Sequence, residues 1–89
     1  MEAFLTKAAV KQYGWLNEPM LSRIDDAIDG LEKEPPEGSI LPLGGKKGIF
    51  RLKVGGYRIL FRKRGEEILV THIEPRGQAY GKKNMEAKQ

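Results

Sequence analysis

The chain has 89 residues, with 16 Lys and Arg against 12 Asp and Glu, no cysteine and one histidine. That length makes one small domain able to fold alone, and the missing cysteines exclude disulfides and the usual zinc sites. No apolar run approaches the roughly 18 residues of a membrane span, and the opening Met-Glu-Ala-Phe-Leu-Thr-Lys lacks the basic and long apolar regions of a signal peptide, so a cytoplasmic protein without a membrane partner is expected.

Charge is unevenly divided. Residues 1–45 carry four basic side chains and eight acidic ones, a net of −4, whereas residues 46–89 carry twelve basic and four acidic, a net of +8. Such asymmetry points to a polyanion partner for the second half, nucleic acid first.

In chain order, Ala3 to Leu5 suit a short first strand. Thr6 is a good N-cap for a helix over about residues 7–17, with Val10, Tyr13 and Leu16, plus Ala9, as its apolar stripe and Trp15 packed beside it. Asn17-Glu18-Pro19 breaks that helix and starts a second, because proline suits a first helical turn. Met20, Leu21, Ile24, Ala27, Ile28 and Leu31 recur at helical steps through about Lys33. Pro35-Pro36 ends the second helix, and Glu37 to Gly48 reads as a loop whose Ile40-Leu41-Pro42-Leu43 tucks against a sheet edge.

Two strands follow, joined by Gly55-Gly56, a strong hairpin signal because primed turns need φ > 0. The turn sets Val54 opposite Tyr57, Lys53 opposite Arg58, Leu52 opposite Ile59, Arg51 opposite Leu60 and Phe50 opposite Phe61. Alternation then puts Phe50, Leu52, Val54, Tyr57, Ile59 and Phe61 on one face. Arg51, Lys53, Arg58 and Arg62 share the other, with Leu60 among them. Like charges opposed on a sheet are unfavourable, so this face is either a solvated surface or an anion site. A last strand covers about Glu67 to Ile73. Simple alternation places Ile68, Val70 and His72 on the apolar side, His72 against Tyr57 as a core or edge histidine, and Leu69, Thr71 and Ile73 on the basic side.

The expected fold class is α+β: an N-terminal helical hairpin on one face of a small, mainly antiparallel twisted sheet, in the order β-α-α-β-β-β. Residues 1–83 form one domain and 84–89 a polar tail. RNA cleavage suits the exposed basic face, since the 2′-hydroxyl attacks its own 3′ phosphate. The protein then has to align the attack, stabilise charge on phosphorus and move two protons. Arg51 and Arg58 supply charge. They also crowd Lys53, which favours its neutral form as a base. Tyr80 is a second acid or base candidate. No cofactor or metal is required.

The residues Leu43-x-Gly45, the block Gly48-Ile-Phe-Arg-Leu-Lys-Val-Gly-Gly-Tyr-Arg-Ile-Leu-Phe61 and the stretch Ile73 to Tyr80 resemble the RelE/ParE superfamily of bacterial toxins. RelE-like members of that superfamily cut mRNA in the ribosomal decoding site, while ParE-like members inhibit DNA gyrase without the basic catalytic set. The resemblance assigns Arg51 and Lys53 to the basic pair of the first hairpin strand, Arg58 to the second-strand arginine, and Arg76 and Tyr80 to the late arginine and tyrosine. Arg51 stands where many relatives carry lysine, and Arg76 is closer to Tyr80 than in some. Lys46, Lys47, Arg62, Lys82 and Lys83 extend this surface as RNA and ribosome contacts. The resemblance implies a toxin that is a metal-independent mRNA endoribonuclease, with gyrase inhibition as the alternative. It also implies an acidic antitoxin partner that masks the basic residues, with operator DNA reached only through that complex.

Overall fold

The computed structural model describes residues 1–45 and 48–75. Their elements are β1 (Glu2–Leu5), α1 (Lys7–Gly14), α2 (Met20–Leu31), β2 (Ser39–Pro42), β3 (Ile49–Val54), β4 (Tyr57–Arg64) and β5 (Glu67–Pro75). One five-stranded sheet has the order β1-β5-β4-β3-β2, antiparallel except for the β1–β5 pair. The α+β class and the helical hairpin agree with the sequence, but the strand count does not. Ser39–Pro42, read as loop, pairs with β3 as a fifth strand, Ile40 facing Leu52. Pro42 hides that strand from sequence reasoning, because it cannot donate to a ladder and is tolerated only at an edge such as this one.

Helix α1 starts as expected. The Thr6 hydroxyl accepts from Ala9 N at 3.2 Å. The helix stops at Gly14 rather than continuing to residue 17. Ala9 and Leu16 are buried, but Val10 and Trp15, expected against the core, are exposed, Trp15 to 71%. On a helix this short, Ala9 and Tyr13 face the core with Leu16 just beyond the helix end, while Val10 falls to the flank and Trp15 sits at the C-cap. Helix α2 buries Ile24 and Leu31. The core between helices and sheet is completed by Leu52, Ile59, Phe61, Ile68, Val70 and Ile73. Phe50 and Phe61, cross-strand partners, stack at 5.6 Å between centroids.

The β3–β4 register is the one expected, pair by pair from Val54–Tyr57 to Phe50–Phe61. Gly55 at the turn has φ 57°, a value that disfavours any side chain. Gly38 also has a positive φ, 128°, and in addition a Cβ there would stand 2.6 Å from Leu52 Cδ1.

The β4–β5 register corrects the sequence reading. Arg64–Glu67 through Phe61–Val70 pair regularly. Thr71 is then skipped, and Leu60 faces His72, Ile59 faces Ile73, and Arg58 faces Glu74. The extra residue is a β-bulge, which shifts the phase of everything after it by one residue. Ile73 moves into the core, 2% exposed. His72 leaves the helix-covered face, where it was expected against Tyr57, and joins Leu60 on the opposite one.

The bulge displaces backbone groups that the ladder would normally satisfy, and α1 supplies the missing partners. The Thr6 hydroxyl donates to Thr71 O at 3.1 Å, and Gln12 Oε1 accepts from Ile73 N at 2.7 Å. The outer edge of β1 is closed in a similar way. Glu32 Oε2 accepts from Ala3 N at 2.8 Å, which occupies an edge N–H otherwise open to another strand.

Candidate functional site

The sheet face turned away from the helices carries the candidate residues. Alternation along β3 and β4 places Arg51, Lys53, Arg58, Leu60 and Arg62 there. Lys53 and Arg58 are direct partners across the hairpin, and Arg51 lies opposite Leu60. Lys53 and Arg62 are exposed, whereas Arg51 and Arg58 are half-buried. The hairpin turn is what brings these cations together, since it fixes the register of both strands.

The bulge adds two residues that the sequence reading did not place here. Glu74 lies opposite Arg58, and its carboxylate stands 3.6 Å from the Arg58 guanidinium. The Arg58 side chain is only 14% exposed. Arg58 is therefore held against an anion on its own sheet, with a defined direction for its planar fork of donors. His72 is the second addition, half-buried across β4 from Arg51, with Leu60 between them. One signal in the sequence marks this shift. Apolar residues run 68, 70, then 73, a step of three where a regular strand takes two.

Around Leu60 and His72 the face is hollow. Leu43, Ile49, Leu60, Arg62, Leu69, Thr71 and His72 line a concavity of about 340 Å³. Its floor is mainly aliphatic, so the outer face is not uniformly basic. Lys63, by contrast, projects to the other side and lies 5.8 Å from the centroid of the Phe50 ring. Lys46, Lys47, Arg76, Tyr80, Lys82, Lys83 and the polar tail from 84 to 89 lie outside the described residues. Chemically, the described part offers fixed positive charge beside an apolar hollow, a combination suited to a ligand with a phosphate and a ring.

A family model described as the ParE toxin of type II toxin–antitoxin system, parDE, matches residues 5–80. No curated protein matches the sequence. Among solved structures, the chain is similar to that of the RelB–RelE antitoxin–toxin complex from Methanococcus jannaschii. The TM-score is 0.74 and the identity 21%, over 86% of this chain and 94% of that one. It is also similar to the archaeal RelE–RelB complex from Pyrococcus horikoshii OT3, with a TM-score of 0.70 and 25% identity, covering 86% and 96%. The isolated E. coli RelE toxin gives a TM-score of 0.70 at 14% identity, covering 82% and 81%.

Proposed function

The chain belongs to the ParE toxin family of type II toxin–antitoxin systems, and from that premise we propose that it is a ribosome-dependent mRNA endoribonuclease. The observation that carries this reading is the pairing of Lys53 with Arg58 beside Arg51 on the sheet face turned away from the described helices. Glu74 lies against Arg58, and the phosphoryl oxygens of a cleaving RNA bring further negative charge to a row in which like charges stand opposite one another.

In the proposed reaction the ribose 2′-oxygen loses its proton to a base and bonds to the adjacent phosphorus. The bond from phosphorus to the 5′-oxygen of the next nucleotide breaks, and that oxygen takes a proton. The products are a 2′,3′-cyclic phosphate and a free 5′-hydroxyl. Arg51 and Arg58 stabilise the charge that builds on the phosphoryl oxygens, without leaving the protonated state. Glu74 holds Arg58 in orientation, so little reorganisation is needed as charge develops. Lys53 is the proposed base. Arg76 and Tyr80 are proposed as a further phosphate contact and as an acid or stacking group. Lys46, Lys47, Arg62, Lys82 and Lys83 are proposed contacts to RNA and ribosome.

An acidic antitoxin segment is the proposed natural inhibitor, drawn to the same face by charge. Primer extension on mRNA, with and without programmed ribosomes, tests the nuclease reading. New 3′ ends are expected only when ribosomes are present. The family match also favours a second reading, inhibition of DNA gyrase. Unbroken mRNA together with loss of gyrase supercoiling selects it and sinks the first.

A further inference from the structure

The concavity over Leu60 has a chemistry that the cationic row does not explain. Leu43, Ile49, Leu60 and Leu69 put four aliphatic side chains beside exposed Arg62 on the face turned away from both described helices. Aliphatic surface left in water forgoes burial energy in proportion to its area. A flat ring lying on it recovers that energy, and a hydrated phosphate does not.

The polar groups at its edge are oriented. Thr71, the bulged residue, has one hydroxyl proton, and its Oγ1 donates to Leu60 O at 3.2 Å. The same oxygen lies 3.2 Å from His72 Nδ1. With its proton already committed, that oxygen can only accept, so Nδ1 carries the hydrogen. The neutral imidazole is then the Nδ1–H tautomer, and Nε2 is its acceptor. Arg62, on β4 between Ile49 of β3 and Leu69 of β5, adds a planar fork of donors.

We infer that this concavity is a nucleobase-binding subsite for the RNA strand whose phosphate meets Arg51, Lys53 and Arg58, and that guanine is the base it favours. The inference rests on the nuclease reading for its substrate class. A volume of about 340 Å³ lies at the small end of ligand pockets and suits one base rather than a duplex. The Arg62 fork matches O6 and N7 of guanine, the commonest specific pairing of arginine with a base. His72 Nε2 offers an acceptor to the N1–H or amino group on the adjoining edge. Leu60 separates His72 from Arg51 by two strand spacings, about 10 Å, so a base on this floor has its phosphate within reach of the cationic row.

His72 is the only histidine in the chain, so one imidazole signal reports on the subsite by NMR. Titrating the full-length protein with guanosine 5′-monophosphate should shift the His72 ring protons and the Leu60 and Leu69 methyls. Ribose 5-phosphate, which keeps the phosphate and lacks the base, should leave them in place. Arg62→Ala should weaken nucleotide binding about tenfold while the exposed position leaves thermal unfolding unchanged. Equal shifts with both ligands mean a phosphate contact only and overturn the subsite, as does no shift with either. The readout needs no ribosome, so the two readings fail separately. Cleavage without a nucleotide response removes the subsite, and a nucleotide response without cleavage removes the nuclease.

Discussion

The two pairings made by β4 differ in what sets them. Its pairing with β3 is regular, and its register is determined by two adjacent glycines in the turn. Its pairing with β5 starts from a turn at Gly65 and runs regularly for four pairs, then skips Thr71. The second pairing holds its shifted phase because α1 satisfies the displaced backbone, through Thr6 to Thr71 O and Gln12 to Ile73 N. One register is thus a local property of the chain. The other depends on residues about sixty positions away. The candidate site draws on both: Arg51, Lys53 and Arg58 from the local pairing, His72 and Glu74 from the remote one.

The largest expected effect lies where the two pairings meet, at Arg58. It faces Lys53 on one side and Glu74 on the other. Replacing it with alanine should slow mRNA cleavage by about 10²–10³, in line with losing one transition-state donor. Its side chain is largely buried against Glu74, so some loss of stability accompanies the change. A melting curve on the same preparation separates folding from chemistry. Full cleavage by folded Arg58→Ala protein removes Arg58 from the site.

Gln12→Ala tests the remote pairing. It leaves the Ile73 N–H without its 2.7 Å acceptor in a part-buried position, at a cost of about 1–3 kcal/mol. Urea unfolding should show that loss, and the His72 ring signal should move although residue 12 is on the other side of the sheet. A stability loss with an unmoved His72 signal would mean that the bulge holds without Gln12, on the Thr6 bond. The local pairing is tested by Gly55→Ala, where φ of 57° makes a side chain cost about 1–2 kcal/mol. A Cβ there would also lie 3.2 Å from an Arg23 nitrogen. Gly56→Ala, with open space around it, should cost less. Equal losses at the two glycines would show that the turn does not depend on the left-handed conformation.

The same contrast explains what was legible in the sequence. Thr6 as a cap, Pro35-Pro36 as a stop and Gly55-Gly56 as a turn act within a few residues, and each appears in the structure as read. The strand at Ser39–Pro42 was hidden by its proline, because edge tolerance is a property of the finished sheet. Trp15 reads as packed beside the apolar stripe, but the helix ends at Gly14 and leaves it exposed. His72 was misplaced because alternation assumes an unbroken ladder. The off-phase Ile73 signals the break, but the groups that stabilise it reside in α1. The basic row was therefore readable, while its counter-ion Glu74 and its neighbouring hollow required the fold.

The smallest effect concerns how α1 is itself held, since it secures the bulge. The Tyr13 hydroxyl donates to Asp25 Oδ1 on α2 at 2.6 Å. That hydrogen bond, aided by desolvation and by the charges of Asp25 and Glu18, raises the Tyr13 pKa above its ordinary 10.0. The neutral phenol makes the bond, and its anion would face a carboxylate. A folded-state pKa above the unfolded one means that the contribution is complete below about pH 10 and is lost as pH rises through the raised value. Tyr13→Phe lacks the bond at every pH. The difference in urea midpoint between parent and Tyr13→Phe should accordingly be small and constant from neutral pH to about pH 10, then shrink as pH rises further. Taking the difference cancels the titration of the lysines and of the other tyrosines. A difference that stays constant through the alkaline range would mean that the hydroxyl contributes nothing through Asp25, and that α1 is held by its apolar contacts and by the Thr6 and Gln12 bonds to β5.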